Sequence, residues 1–197
     1  MKKILPLAFT AFLLFSSVIL HAQDDKSKRP SPPATATGKI GNTTITINYS
    51  QPSVKGREIG KDLEPKEGKV WRTGANEATV FETDGDIKVE GKPLAKGKYA
   101  LFTIKNGNDW TIIVNTKSSQ WGAFGYKEAE DALRVQVKGS STAADVTEQL
   151  TFTISNSGMI SLHWGNLAVS FTSVRMAVDP SATSTVAASF SIVTTGI

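Results

Sequence analysis

Hydrophobic and polar residues alternate with a period of two along most of the chain after residue 40. This alternation is typical of β-strands that bury one face, whereas a helix repeats about every 3.6 residues. It predicts at least seven strands, centred on residues 45–47, 99–104, 110–114, 133–138, 150–155, 160–164 and 167–171. Residues 99–104 are apolar on both faces, so their strand is expected in the middle of a sheet.

Short turn sequences separate the predicted strands and indicate antiparallel hairpins. Residues 106–109 and 156–158 are rich in Asn and Gly, and Gly165-Asn166 fits a two-residue turn with a positive φ at glycine. The one plausible helix, of about two turns, covers residues 126–132. These features predict an all-β fold, an antiparallel β-sandwich or jelly roll in a single domain.

The ends of the chain differ from this pattern. Residues 1–22 have the charge, apolar run and small final residue of a secretory signal peptide, so a periplasmic or exported protein is expected. The apolar run is short of the ~20 residues of a membrane helix, and no membrane span is expected in the mature chain. Residues 23–38 predict a flexible linker and 39–174 the β domain. Residues 175–197 form a C-terminal extension with room for one more strand.

Charge and composition argue against several classes of function. Loss of Lys2 and Lys3 with the leader leaves 20 Lys and Arg against 18 Asp and Glu, a net charge of +2. Because no dense basic stripe remains, nucleic acid is not an expected partner. The chain has no cysteine, and His163 is the single histidine after residue 22. Disulfides, a His/Cys metal site and a cofactor are therefore not expected.

Several distinctive sequences follow one another along the chain. They are YSQPSVKGR (49–57), VWRTGANEAT (70–79), GKPL (91–94), GKYALF (97–102), WTIIVN (110–115), WG (121–122) and DALRV (131–135). In order and spacing, the chain resembles the bacterial family called domain of unknown function 2911, over about residues 32–174. The resemblance implies a secreted protein, mostly of Gram-negative bacteria, without an assigned activity. The chain departs from the family pattern at Gln51, usually Arg, and at Lys105, usually Pro.

The segment 71–79 has the densest group of candidate ligand-binding side chains: Trp71, Arg72, Asn76 and Glu77. In a cleft, Trp71 could stack on a sugar and Arg72 could bind a carboxylate or phosphate. Asn76 and Glu77 could add directional polar contacts. The favoured alternative is structural: Trp71 lies in the core, while Arg72 and Glu77 pair to hold a loop.

Two further candidates lie outside this segment. Arg57 could supply a second cation to the cleft, or it could cap its own loop or pair with Glu58 or Asp62. Trp121 lies in the glycine- and aromatic-rich segment 119–126, which could line a carbohydrate or peptide groove or cover one end of the fold. The structural role is favoured for both residues.

Catalytic chemistry has little support in the sequence. A Ser-His-Asp triad would need His163, whose phase in its strand places it on the outer face. A carboxylate pair for glycoside hydrolysis could come from the loop acids Glu58, Asp62, Glu64, Glu67, Glu77 and Glu82. A calcium site at 84–86 or 106–109 is conceivable, but both segments are more simply turns. No glycine-rich phosphate loop precedes a helix.

Three hypotheses follow. The preferred one is a non-enzymatic module that binds an unknown small ligand or a partner protein, because a loop bearing Arg and Trp lies on an all-β frame. The second is a carboxylate-dependent hydrolase acting on carbohydrate. The third is a structural module of envelope assembly that binds an envelope protein through exposed sheet edges.

Overall fold

Twelve β-strands dominate the computed structural model, which describes residues 25–141 and 146–176. Every pairing between these strands is antiparallel, so the all-β prediction is confirmed. The strands are β1 (Pro33–Ile40), β2 (Thr43–Ser50), β3 (Val70–Trp71), β4 (Thr79–Thr83), β5 (Ile87–Val89), β6 (Lys92–Leu94), β7 (Gly97–Asn106), β8 (Asp109–Asn115), β9 (Asp131–Ser141), β10 (Thr147–Ile154), β11 (Met159–Gly165) and β12 (Leu167–Arg175).

The strands form one continuous sheet instead of two facing sheets. Its order is β1-β2-β4-β7-β8-β9-β12-β11-β10, with β3 beside β7 and the β5–β6 hairpin beside β12. The two ends approach each other, because Ser53 after β2 forms a bridge with Gln149 of β10. The sheet is therefore nearly closed and barrel-like, and the predicted sandwich or jelly roll is not what this strand path shows. Period-two alternation predicts burial of one face and is the same for both architectures.

Large apolar side chains fill the interior of this curved sheet. Trp71 of β3 and Trp164 of β11 stack there, with their ring centroids 5.8 Å apart. A second, smaller apolar cluster lies on the outer face of β7 and β8, where Phe102 and Ile113 are covered by Tyr126. This cluster explains why β7 is apolar on both faces, as its sequence predicted.

The predicted hairpin turns are present. Asn106 pairs with Asp109 across the β7–β8 turn, and Trp164 pairs with Leu167 across the β11–β12 turn. In the latter turn Gly165 has a φ of 56°, a conformation that favours glycine. The register of both hairpins therefore follows from the turn sequences.

The predicted helix at residues 126–132 is wrong. The structure has a single turn of 3-10 helix at Glu128–Glu130, and Asp131 already begins β9. Pairing of Asp131 with Asn115 of β8 extends the sheet into this segment. A helix of two turns is marginal without tertiary support, so strand pairing decides the conformation.

The predicted linker at residues 23–38 is also corrected where the structure describes it. Residues 33–40 pair with 43–50 along the whole of β1 and β2, and Ala34 and Ala36 pack against the core. Lys26–Lys28 form a second short 3-10 helix. The low hydrophobicity of this segment does not prevent ordering, because the backbone of β1 forms hydrogen bonds with the neighbouring strand β2.

The predicted signal peptide and residues 177–197 of the predicted extension lie outside the described residues. Within those residues, neither 3-10 helix has the length or hydrophobicity that a membrane crossing requires.

Candidate functional site

An open cleft of about 630 Å³ lies where β2, β4 and β7 meet the 116–127 loop, which connects β8 to the 3-10 helix at Glu128–Glu130. Residues 25–32, called the N-terminal segment below, border the cleft on another side. The cleft combines charged, hydroxyl and amide side chains with one indole ring. The residues lining it are Lys26, Arg29, Pro33, Asn48, Tyr49, Ser50, Glu77, Ala78, Val80, Lys98, Ser118, Ser119, Gln120 and Trp121.

Glu77 supplies the one carboxylate among the described residues that line the cleft. Lys26 Nζ lies 2.9 Å from Glu77 Oε1, and Arg29 Nη1 lies 3.1 Å from both carboxylate oxygens. The Lys26 ammonium, assisted by Arg29, lowers the pKa of Glu77 to about 2, although partial burial acts in the opposite direction. Glu77 is therefore ionised near neutral pH, and it holds the N-terminal segment at the cleft.

Asn76, next to Glu77 in the chain, forms hydrogen bonds with two separate segments that border the cleft. Its Nδ2 donates to the Ser31 carbonyl at 3.0 Å, and its own carbonyl accepts a hydrogen bond from Gly122 N–H at 3.2 Å. Its φ of 58° lies in the left-handed region, which Asn tolerates better than most residues. Asn76 thus links the N-terminal segment to the 116–127 loop, but its side chain does not line the cleft.

Trp71 lies in the core, as the structural interpretation predicted. It is 1% exposed, and its Nε1 donates to the Gly74 carbonyl at 3.0 Å. A ring buried in this way cannot stack on a ligand without opening the sheet. The predicted ligand-binding role of Trp71 is therefore wrong.

Arg72 lies outside the residues that line the cleft, and it does not pair with Glu77 as the structural interpretation expected. Its side chain is partly buried, and its Nε has no hydrogen-bond acceptor among the described residues. Burial lowers the pKa of Arg72, while the charge of Glu64 acts in the opposite direction. Glu77 binds Lys26 and Arg29 instead, and no Arg72–Glu77 ion pair forms.

Arg57 is exposed and lies outside the cleft. Its Nε donates to the Val54 carbonyl at 3.1 Å, and its Nη2 donates to the Ser53 carbonyl at 2.7 Å. Arg57 thus caps its own loop, which is one of the structural roles predicted for it. It does not supply a second cation to the cleft.

Trp121 is the candidate whose side chain is most available to a ligand. Its ring is 58% exposed and lines the cleft. Backbone pairing between Glu77 and Trp121 brings the 116–127 loop against the segment before β4. Of the six predicted site residues, the structure therefore brings Glu77 and Trp121 together in the cleft.

A polar network holds the far end of the 116–127 loop. Tyr126 Oη donates to Asp131 Oδ2 at 2.7 Å and accepts a hydrogen bond from Arg134 Nη2 at 2.9 Å. Asn115 Nδ2 donates to Asp131 Oδ1 at 2.8 Å. Burial, together with Asp131, raises the pKa of Tyr126 to about 12, so its hydroxyl stays protonated. These bonds position the loop that carries Trp121.

Sequence reasoning missed three cations in the cleft: Lys26, Arg29 and Lys98. Lys26 and Arg29 precede the predicted domain, and no local pattern indicates that their segment returns to Glu77. The sequence could have indicated where Lys98 lies. Lys98 precedes Ala100 and Phe102 at a period of two and so shares their face of β7. Its Nζ lies 3.1 Å from Glu82 Oε2.

The described lining of the cleft does not supply the carboxylate pair that the alternative hydrolase hypothesis requires. Glycoside hydrolysis needs two carboxyl groups about 5–9.5 Å apart, one with a raised pKa. Among the described residues, Glu77 alone brings a carboxylate to the lining, and its pKa is lowered. Nor do those residues contain a group of three or more His, Cys, Asp or Glu side chains placed to hold a metal ion.

The family model described as "Protein of unknown function (DUF2911)" matches residues 31–173. The chain belongs to this family. The family region thus covers β1 to β11, most of β12 and most of the cleft, while Lys26 and Arg29 precede it. No curated protein and no solved structure matches the chain.

Gln51 and Lys105, where the resemblance implied departures from the family pattern, have local structural roles. Gln51 Nε2 donates to the Leu150 carbonyl at 3.1 Å, across the closure between β2 and β10. Lys105 forms an ion pair with Glu67, and its carbonyl accepts a hydrogen bond from Gly68 N–H at 2.8 Å. Neither residue lines the cleft, so neither departure changes the side chains offered to a ligand there.

Proposed function

We propose that the protein is an exported, non-enzymatic module that binds a small ligand in the cleft beside Trp121. The observation that carries the proposal is the exposed indole of Trp121 at a cleft of about 630 Å³. This volume lies within the usual range for small-molecule sites. An aromatic ring with one free face next to polar groups suits a ligand that has both an apolar face and hydrogen-bonding groups.

The polar lining supports binding in one orientation. Asn48, Ser118, Ser119 and Gln120 supply amide and hydroxyl groups to the cleft, and these groups can donate and accept hydrogen bonds. The frame beneath them is the paired backbone of β2, β4 and β7. A rigid frame lowers the entropy lost when the ligand binds.

The arrangement of acids supports binding over catalysis. Glu77 is ionised and already engaged by Lys26 and Arg29, so it is poorly suited to act as a general acid. A second acid would be needed at the same cleft. Export is supported by the charge and apolar pattern of residues 1–22.

A role in envelope assembly through free sheet edges has less support. β1 and β10 are the ends of the main strand path and face each other across the closure, where Leu150 N–H donates to the Pro52 carbonyl at 3.0 Å. Near closure of this kind leaves less free edge for strand addition than an open sheet would.

The proposal is tested by a thermal-shift screen of the protein without its leader against sugars, carboxylates and peptidoglycan fragments, followed by calorimetry on each hit. Trp121→Ala is expected to weaken binding at least about tenfold, because a well-packed ring contributes over 1.4 kcal/mol. Phe124→Ala is the matched control: Phe124 is 90% exposed on the same loop but does not line the cleft. Absence of any hit, or equal binding by both variants, would contradict the proposal.

A further inference from the structure

The charges of the cleft point to the chemistry of its ligand. The lining side chains include three cations, Lys26, Arg29 and Lys98, against the single carboxylate of Glu77. Once Glu77 is counted, the described lining has a net charge of +2. A concave site with a net positive charge raises the local concentration of anions and repels cations.

Lys26 and Arg29 are already engaged by Glu77, at 2.9 and 3.1 Å. A cationic ligand would have to displace them to reach the carboxylate. An anionic ligand does not need this displacement, and it would be attracted by the Lys26 ammonium and the Arg29 guanidinium. The geometry at Glu77 therefore favours an anion. Among the described lining cations, Lys98 is the one whose ion-pair partner, Glu82, lies outside the lining.

Lys98 is suited to hold the anionic group. Its partner Glu82 does not line the cleft, and the two side chains are 55% and 45% exposed. Exposed ion pairs of this kind contribute little stability, so Glu82 is readily replaced by another carboxylate. An ammonium group has three N–H donors and can also bind a second carboxylate without releasing the first.

The remaining lining groups favour a ligand with many hydroxyl groups. Trp121 offers a ring face, and Asn48 and Ser119 are exposed polar residues at the same cleft. A sugar ring presents an apolar face of C–H groups for the indole and hydroxyl groups at its edge for the amide and hydroxyl side chains. A purely apolar acid would leave those polar groups without partners.

We infer that the cleft binds an acidic saccharide, with its carboxylate at Lys98 and its sugar ring on Trp121. This inference rests on the proposed function and specifies the class of ligand. It requires no covalent step and no cofactor. A ring-bearing carboxylic acid without hydroxyl groups is the competing ligand that the test must reject.

The test is calorimetric titration of the protein without its leader with short oligomers of glucuronic acid and with glucose oligomers of the same length and linkage. At about 0.05 M salt, the acidic oligomer is expected to bind at least about tenfold more tightly than the neutral one. At about 0.5 M salt this preference is expected to shrink, because the Debye length falls to about 4 Å. Benzoate, an aromatic acid without hydroxyl groups, is expected to bind more weakly than the acidic oligomer.

Three variants locate the carboxylate. Lys98→Gln is expected to abolish the preference for the acidic oligomer, so that the ratio of the two affinities falls to about one. Lys88→Gln is the matched control, because Lys88 is an exposed lysine of β5 outside the cleft and its loss should leave the preference intact. Glu82→Gln removes the competing carboxylate and is expected to strengthen binding of the acidic oligomer. Circular dichroism and melting temperature establish that each variant is folded.

The outcomes separate this inference from the proposed function. Equal binding of acidic and neutral oligomers, or an acid preference that survives in Lys98→Gln, would overturn the acidic-saccharide assignment and leave the binding module standing. Tighter binding of benzoate than of the acidic oligomer would overturn the saccharide part. If neither the oligomers nor the wider screen bind, both proposals fail together.

Discussion

The four tryptophans of this chain have two different kinds of surroundings. Trp71, Trp110 and Trp164 are at most 2% exposed and belong to the interior, whereas Trp121 is 58% exposed at the cleft. A buried indole contributes through area removed from water and through close packing. An exposed indole contributes little to stability and remains available to a ligand. The role of each tryptophan thus depends on how deeply its side chain is buried, and burial differs among the four.

Replacement of Trp71 by Ala is expected to lower the free energy of unfolding by about 3–5 kcal/mol, because it leaves a cavity beside Trp164. The Gly74 carbonyl also loses its hydrogen bond from Nε1. Urea denaturation followed by circular dichroism measures the change. Trp121→Ala is the control and should alter this free energy by no more than about 0.5 kcal/mol. A large loss in Trp121→Ala would mean that this ring is structural.

At the scale of elements, the cleft depends on two segments that contain little regular structure. The N-terminal segment is attached through Lys26 and Arg29 to Glu77, and through the Ser31 carbonyl to Asn76. The 116–127 loop is attached at one end by Tyr126 and along its middle by backbone bonds to the segment before β4. The cleft thus lies between two attached segments, and loss of one attachment should loosen one wall.

Glu77→Gln is expected to loosen the N-terminal segment, since the neutral amide no longer attracts Lys26 and Arg29. Trypsin should then cleave after Lys26 and Lys28 several-fold faster, because cleavage requires local opening of the chain. The rate is measured by mass spectrometry of the folded protein.

The control for this experiment is Glu82→Gln, which removes a carboxylate of similar exposure from the adjacent strand and breaks the ion pair with Lys98. Cleavage after Lys26 and Lys28 should be unchanged in this variant. Equal acceleration in both variants would show that general loss of negative charge, and not release from Glu77, exposes the segment.

At the scale of the whole molecule, closure of the sheet is what brings distant parts of the chain together. Phe152 N–H of β10 donates to Tyr49 Oη of β2 at 3.2 Å, and the two rings meet edge to face with centroids 4.9 Å apart. Gln51 adds a side-chain hydrogen bond to the Leu150 carbonyl. The near closure therefore depends on side chains as well as on the backbone bridge between Ser53 and Gln149, and it joins residues about a hundred positions apart.

Tyr49→Phe is expected to lower the free energy of unfolding by about 1–3 kcal/mol, because it leaves the buried Phe152 N–H without an acceptor. Tyr99→Phe is the matched control. Tyr99 Oη donates to the Ala95 carbonyl at an exposed position, where water can replace it, so its loss should cost less than about 1 kcal/mol. Urea denaturation gives both values. Equal losses would indicate that the hydroxyl of Tyr49 has no special part in closure.

The sequence also failed to predict β4, and the reason lies in its inward-facing residues. Thr79 and Thr83 are at most 2% exposed and flank Phe81 on the core side, while Val80 and Glu82 face outward. The alternation of apolar and polar residues is obscured in β4, because two of its three buried positions are threonines. Thr79 Oγ1 donates to the Thr73 carbonyl and Thr83 Oγ1 to the Gly85 carbonyl, at 2.9 and 2.7 Å. These bonds satisfy the hydroxyls and allow their burial.

The sequence predicted only part of the candidate site, because a local pattern indicates the type of a residue and its near neighbours but not its distant partners. Trp121 stood out as an aromatic in a glycine-rich loop, and Glu77 as an acid beside other polar groups. The partners of Glu77 lie 48 and 51 positions before it, and the partner expected for it, Arg72, does not reach it. Ion pairing depends on distance in space, which a local pattern does not contain.

The amino-acid sequence by itself determined the class of fold, the positions of most of the long strands and the hairpin turns. It did so because alternate burial and positive φ at glycine are local requirements that each strand and turn must meet on its own. The tertiary structure alone decided that the sheet curves into near closure, that residues 33–40 become a strand, and that three cations surround the cleft. These features arise from pairing between segments that are distant in the chain. The free energy of such pairing depends on the strands between them being in place.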